Sequence, residues 1–111
     1  MDLKSFKHIH FLGIGGIGVS GIAQVMNSRG VVVSGSDMKQ STVTDLLVSE
    51  GITVYIGHDA KNVEGADLLV YSNAVSMENP EIVRASALAM TGMPSSLALT
   101  ISGFTMETAL E

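Results

Sequence analysis

The feature that most constrains the fold is a glycine-rich turn between a strand-like pattern and a helix-like pattern. Residues 8–12, HIHFL, alternate polar and apolar side chains and lead directly into residues 13–18, GIGGIG. Apolar side chains then recur at near-helical spacing from Ile17 to Met26, and Gly30 follows as a C-terminal cap. A strand, a glycine turn and a helix in this order are typical of the first unit of a Rossmann-like sheet.

The glycines of this turn match the pattern G-x-G-x-x-G, in which each glycine has a physical role at a diphosphate site. Gly13 permits the sharp turn, Gly15 lets the backbone approach a diphosphate, and Gly18 lets helix and strand pack closely. The helix start adds unpaired N–H groups and the positive end of the helix dipole, which favour an anion. The turn, with Gly16 and Ile17, is a candidate diphosphate site, although a tight turn that binds nothing can have the same sequence.

Strand-like and helix-like patterns continue to alternate along the chain. The predicted strands are a β-branched run over 31–33 that ends in Ser-Gly-Ser-Asp at 34–37, and runs over 52–56 and 67–71. The predicted helices run from Ser41 or Thr42 to Glu50 and from Pro80, capped by Asn79, to about Met90. A fifth strand is expected at 97–101. We therefore predict one α/β domain over 1–111, a Rossmann-like open parallel sheet of four to five strands with helices on both faces.

Polar side chains follow the predicted strands at the edge where open parallel sheets bind ligands. Asp37 follows the second strand, where a carboxylate in such folds accepts hydrogen bonds from ribose hydroxyls, and Ser36 can donate to the same ligand. His58 follows the third strand, and Ser72 and Asn73 follow the fourth. Each can also serve without a ligand, as a turn-forming side chain or a surface histidine.

Composition excludes several classes of function. Six Lys and Arg against eleven Asp and Glu give a net charge of −5 with no basic cluster, which argues against nucleic-acid binding. The sequence has no cysteine, which excludes thiol catalysis and fits a reducing cytoplasm. His8 and His10 are interpreted as strand-end positions rather than metal ligands. No stretch approaches the roughly 20 apolar residues of a membrane span, so we expect no membrane insertion or export.

From His10 to Ala23, HFLGIGGIGVSGIA, the sequence resembles the opening of the Mur ligase family. The resemblance weakens after about residue 86. Further matching segments are VSGSD at 33–37, YIGH at 55–58 with Asn62, GAD at 65–67, SNAV at 72–75 and NPE at 79–81. The resemblance implies a domain that binds UDP-N-acetylmuramate or a related UDP-sugar.

The resemblance also implies roles for individual residues. Gly15 to Gly18 would hold the diphosphate, Ser36 and Asp37 would lie near the uridine, and the same cleft would be lined by His58, Ser72, Asn73 and Ala74. Full-length members use ATP and Mg²⁺ to ligate UDP-N-acetylmuramate to L-alanine for peptidoglycan precursors, with a central ATPase domain and a C-terminal domain. This sequence has no G-x-x-x-x-G-K-[ST] segment, so we expect no cofactor, metal or catalytic residue in it.

Two other functions are compatible with the residues. The glycine pattern together with Asp37 equally permits the NAD-binding domain of an oxidoreductase, which would need a further domain for its substrate. A folded fragment that binds nothing is the third possibility, because Rossmann-like sheets host many functions. Binding of UDP-N-acetylmuramate or of NAD separates the three.

Overall fold

Strands and helices alternate in the computed structural model, which describes residues 6–71, 75–76 and 78–90. The elements are β1 (His8–Leu12), α1 (Ile17–Ser28), β2 (Val32–Asp37), α2 (Thr42–Ser49), β3 (Thr53–Ile56), a 3₁₀ helix (Ala60–Val63), β4 (Leu68–Val70) and α3 (Pro80–Met90). The four strands are parallel and lie in the order β3-β2-β1-β4. All four strands therefore end at one edge of the sheet, which we call the carboxyl edge.

Successive side chains of β1 point to opposite faces of the sheet, and each face is covered by helices. Ile9 and Phe11 pack with residues of α1 and α2, among them Met26 and Leu47. Leu12 belongs to a second apolar cluster with Ile82 of α3 and with residues of β4 and the 3₁₀ helix. The predicted open parallel sheet with helices on both faces is confirmed. We call the second side the α3 face.

The second strand is longer than the β-branched run over 31–33 indicates, because β2 continues to Asp37. Ser34, Gly35 and Ser36 are paired on one side with β1 and on the other with β3, so the ladder continues to Asp37. Serine, glycine and aspartate are typical of turns in isolation, but here β2 lies between two neighbouring strands that hold its backbone extended. The predicted fifth strand at 97–101 lies outside the described residues.

The helices are short in relation to a lipid bilayer. The longest helix in the described ranges is α1, which has 12 residues, whereas a membrane-spanning helix needs about 20. Within those ranges no helix is long and apolar enough to span a membrane.

The start of α2 is closed by a reciprocal pair of hydrogen bonds. The Ser41 hydroxyl accepts from the Thr44 backbone N–H at 3.2 Å, and the Thr44 hydroxyl accepts from the Ser41 N–H at 2.8 Å. We expect Ser41→Ala to lower the free energy of unfolding by about 1 kcal/mol, because it leaves an N–H at the helix start without its acceptor. Urea unfolding monitored by circular dichroism measures this. Ser49→Ala, at the exposed end of the same helix, is the control, and an equal loss in both variants would contradict the assigned cap.

Candidate functional site

The glycine turn is attached by its backbone to the end of β2. Gly13 has a φ of +70°, which glycine adopts without strain and which makes the sharp turn after β1. The N–H groups of Gly13 and Ile14 both donate to the Ser36 carbonyl, at 2.8 and 3.0 Å, and Gly16 N–H donates to the Gly13 carbonyl at 3.0 Å. The turn is therefore fixed at the carboxyl edge, as its sequence predicts.

The close packing expected at the third glycine occurs at a different glycine. A Cβ on Gly18 would have no atom within 4 Å, so the interpretation of Gly18 as the residue that lets helix and strand pack closely is wrong. A Cβ on Gly35 of β2 would lie 2.3 Å from Ile14 Cδ1 and 2.8 Å from the Phe11 carbonyl oxygen. Because residue 35 has no side chain, the Ile14 side chain packs against its backbone and is fully buried. This contact holds the glycine turn against β2.

The start of α1 has donors that the fold leaves available. The first hydrogen bond of the helix runs from Ser20 N–H to the Gly16 carbonyl at 2.8 Å. Within the described residues, the preceding N–H groups of Ile17, Gly18 and Val19 have no acceptor, and no side chain caps the helix. The Ile17 side chain is 91% exposed. Free N–H groups at the positive end of a helix dipole form a site for an anion.

Asp37 lies directly against this turn. Its Oδ2 accepts from the Gly15 N–H at 2.9 Å, and a Cβ on Gly15 would come within 2.8 Å of the same oxygen. The space that the missing side chain of Gly15 leaves open is thus occupied by the Asp37 carboxylate and not by a ligand. A phosphate would be repelled at Gly15 and would instead find donors at the start of α1, while Asp37 can accept hydrogen bonds from hydroxyl groups of a ligand.

The α3 face contains a buried set of hydrogen-bonded side chains, which we call the polar network: Glu81, His10, Ser36, His58 and Ser34. Glu81, at the start of α3, is fully buried. Its Oε1 accepts from His10 Nε2 at 2.5 Å and from the Ser36 hydroxyl at 2.9 Å, and its Oε2 accepts from His58 Nδ1 at 2.7 Å. One carboxylate therefore joins α3 to β1, to β2 and to the loop after β3.

Ser34 of β2 links the polar network to two histidines of β1. The Ser34 hydroxyl lies 2.7 Å from His10 Nδ1 and 2.8 Å from His8 Nε2. Since a hydroxyl has one hydrogen, Ser34 donates to one ring and accepts from the other. His10 is fully buried in the middle of β1, so its interpretation as a strand-end position is wrong. Within the described residues, no group of three or more His, Cys, Asp or Glu side chains is placed so that it could hold a metal ion.

The surroundings of Glu81 favour its charged form. Burial alone would raise the pKa of Glu81, but hydrogen bonding and the positive field from His10, with further hydrogen bonds from His58 and Ser36, lower this pKa below its ordinary value. Burial also lowers the pKa of His8, partly opposed by a hydrogen bond with the Gly65 backbone, and so favours the neutral ring. The centre of the polar network is therefore a carboxylate.

Several of the predicted site residues meet at the carboxyl edge. The Gly57 N–H donates to the Asp37 carbonyl at 2.8 Å, which places His58 next to the strand end that carries Asp37. His58 Nδ1 also lies 2.9 Å from the Ser36 hydroxyl. Ser36 is fully buried, and its hydroxyl donates to Glu81. The Ser36 hydroxyl therefore faces Glu81 and His58 and does not face open space. The predicted residues Ser72, Asn73 and Ala74 lie outside the described part of the chain.

Sequence reasoning missed three members of the polar network, His10, Ser34 and Glu81. A signal was present, because polar residues stand at alternate positions of two strands, His8 and His10 in β1 and Ser34 and Ser36 in β2. Alternate positions share a face, and adjacent strands place those faces together. A polar stripe across an otherwise apolar sheet requires a buried partner, which here is Glu81.

The chain is similar in sequence and in structure to known proteins. The model of a family described as "Mur ligase family, catalytic domain" matches residues 8–104. The UDP-N-acetylmuramate–L-alanine ligase of Persephonella marina is 52% identical over 79% of this chain and 19% of that protein, and the enzyme of the same name from Acetivibrio thermocellus is 43% identical over 96% and 22%. A crystal structure of UDP-N-acetylmuramate–alanine ligase from Thermotoga maritima superposes with a TM-score of 0.75 at 37% identity, over 86% of this chain and 20% of that one. The chain thus spans about a fifth of the length of these relatives.

Proposed function

Since this chain belongs to the Mur ligase family, we propose that it binds UDP-N-acetylmuramate at the carboxyl edge of its sheet. The observation that carries this proposal is the start of α1, where the N–H groups of Ile17, Gly18 and Val19 have no acceptor among the described residues. The same turn carries an acceptor, because the Asp37 carboxylate contacts Gly15, two residues before Ile17. A diphosphate joined to a ribose combines an anion with hydroxyl donors, which is the chemistry that this pair of features fits.

The work of the domain in this proposal is to hold and orient the ligand. The helix start binds the diphosphate, Asp37 accepts from the uridine, and His58 with residues 72–74 completes the cleft. The sugar's lactyl carboxylate is thereby presented for ligation to L-alanine, with ATP and Mg²⁺ supplied at parts of the longer relatives that this chain does not match. Peptidoglycan precursor synthesis would place this step in the cytoplasm.

A titration followed by nuclear magnetic resonance (NMR) tests the proposed ligand. Backbone amides are monitored while UDP-N-acetylmuramate is added, with NAD as the comparison ligand. We expect a dissociation constant on the order of 0.1–1 mM, equivalent to about 4–5.5 kcal/mol, because a single domain covers only part of the ligand. Shifts at Ile17, Gly18 and Asp37 with the UDP-sugar alone support the proposal. Equal shifts with NAD favour a general dinucleotide site, and no shift with either at millimolar concentration overturns it.

Gly18→Ala separates ligand binding from folding. A methyl group at this position meets no atom within 4 Å, and residue 18 lies in α1, where alanine is a better helix former than glycine. We therefore expect the variant to unfold at the same urea concentration as the wild type or a higher one. The added methyl group stands over the helix start and should weaken UDP-N-acetylmuramate binding about tenfold or more. Unchanged affinity would place the diphosphate away from this helix start.

A further inference from the structure

We infer that Glu81 is a positioning residue of the nucleotide site, because its buried carboxylate holds the His58 ring by Nδ1–H and leaves Nε2 as an acceptor for a hydroxyl group of the ligand. The inference rests on the proposed function for the identity of the ligand. Its structural half, the orientation of the His58 ring by Glu81, concerns the chain without ligand. The two halves are tested separately below.

The position of Glu81 is fixed from several sides. Asn79 Oδ1 accepts from the Glu81 backbone N–H at 2.9 Å, which sets the first turn of α3. The side chain is then held by two donors on the same oxygen, His10 Nε2 from β1 and the Ser36 hydroxyl from β2. No side-chain nitrogen or oxygen atom buried in the described residues lacks a hydrogen bond. The second oxygen of Glu81 is consequently presented to His58 in a fixed place.

This arrangement dictates which nitrogen of His58 carries a hydrogen. A carboxylate can only accept, so the Nδ1 atom that lies 2.7 Å from Glu81 Oε2 must be protonated. The Ser36 hydroxyl donates its one hydrogen to Glu81. In its contact with His58 Nδ1, the Ser36 oxygen can therefore act only as an acceptor. The Nε2 atom lies on the opposite side of the ring, and the His58 side chain is 18% exposed. A histidine held in this way by a carboxylate has both its tautomer and its direction set.

The fixed ring lies beside the nucleotide site. His58 follows Gly57, whose N–H donates to the Asp37 carbonyl, and Asp37 in turn contacts Gly15 of the glycine turn. His58 also lines an open cleft of about 470 Å³, whose other lining residues belong to β3 and to the segment after it as far as Asn62. A ring whose Nδ1 carries the hydrogen has a lone pair on Nε2, so Nε2 can accept a hydrogen bond from a hydroxyl group of the nucleotide. The charged and titratable groups around the ring are Glu81 on α3, His10 on β1, Asp37 on β2, Tyr55 on β3, and Asp59 and Lys61 after β3.

The ring nitrogens of His58 provide the first test. Long-range ¹H–¹⁵N NMR on the ligand-free chain, at a pH at which the ring is neutral, distinguishes the two tautomers. We expect the Nδ1–H form, whereas a histidine free in water favours Nε2–H. In Glu81→Gln the amide oxygen faces the two donors His10 and Ser36, and the amide N–H₂ faces His58, so the His58 proton should move to Nε2. A wild-type Nε2–H tautomer, or an unchanged tautomer in Glu81→Gln, overturns the positioning role.

Ligand affinity provides the second test. His58→Asn keeps an N–H close to the Nδ1 position, so that the bond to Glu81 can persist, but it removes Nε2. We expect UDP-N-acetylmuramate to bind this variant and Glu81→Gln about tenfold more weakly than wild type, and to bind the control Glu78→Gln, at an exposed residue just before α3, as tightly as wild type. Wild-type affinity in His58→Asn overturns the contact with the ligand, even if Glu81→Gln does not fold.

The two proposals fail in different ways. If the wild-type chain shows no shift with UDP-N-acetylmuramate at millimolar concentration, the proposed function fails, while the His58 tautomer still decides whether Glu81 positions the ring. If the ligand binds and the tautomer is Nε2–H, the proposed function stands and the role of Glu81 is rejected.

Discussion

Glu81→Ala should lower the free energy of unfolding by about 3–5 kcal/mol, a large share of the stability of a domain of this size. The carboxylate accepts hydrogen bonds from His10, Ser36 and His58 and is fully buried. Alanine would remove the acceptor that these three side chains share, two of which, His10 and Ser36, are fully buried. A donor that is left buried and unpaired costs more than the net strength of the bond that it made.

Urea unfolding of wild type and variant measures this effect, with Glu64→Ala as the control. Glu64 accepts from Arg84 Nε at 3.0 Å, but both side chains are about half exposed, so we expect a loss of about 0–1 kcal/mol. A loss in Glu81→Ala no larger than in Glu64→Ala would show that the polar network contributes little to stability.

The contribution of Glu81 should also depend on pH in a defined direction. Its folded-state pKa is lowered, so its stabilising contribution is fully present above the unfolded-state pKa and is lost as the pH falls through the folded-state pKa. The difference in stability between wild type and Glu81→Ala should therefore shrink on acidification below the ordinary range of a glutamate. A difference that grows on acidification would contradict a lowered pKa.

Gly35→Ala should destabilise the fold by about 3 kcal/mol, although it adds a single methyl group. The new Cβ would come within 2.6 Å of Ile14 Cβ and 2.8 Å of the Phe11 carbonyl oxygen. A backbone oxygen inside a strand cannot move away as the end of a flexible side chain can, so the sheet or the glycine turn must distort. The same distortion should weaken ligand binding, because Ile14 belongs to the turn.

The matched control is Gly18→Ala, which makes the same chemical change where no atom lies within 4 Å. Thermal unfolding of both variants compares a glycine required by packing with one that is not. Equal melting temperatures would mean that β2 and the glycine turn separate more easily than these contacts imply.

The backbone framework could be predicted from the sequence because its signals are local. Gly13 ends β1, Ser41 caps α2, and Asn79 precedes α3 as its spacing predicts. Each of these residues acts within a few positions of itself, and the alternation of strands and helices implies the parallel sheet. The approach of the glycine turn to Asp37 also follows from the topology, since parallel strands end at the same edge.

The polar network could not be predicted because its bonds join distant parts of the chain. Glu81 and His10 are 71 residues apart in sequence, and Glu81 by itself has the pattern of an acidic residue in the first turn of a helix. The role predicted for Gly18 is wrong for a related reason. A glycine motif shows which positions lack a side chain, but it does not show which atoms lie close to those positions. In this fold the close contacts are at Gly35 and not at Gly18.

The carboxylate of Asp37 beside the helix start has a consequence for which anions the turn can retain. A bare phosphate or sulfate ion near Gly15 meets a fixed negative charge that offsets the attraction of the helix start. A nucleoside diphosphate also carries ribose hydroxyl groups. The Asp37 carboxylate can accept hydrogen bonds from these groups, which offsets its repulsion of the phosphates. Under the proposed function, we therefore expect the turn to bind a nucleoside diphosphate more tightly than a bare phosphate or sulfate ion.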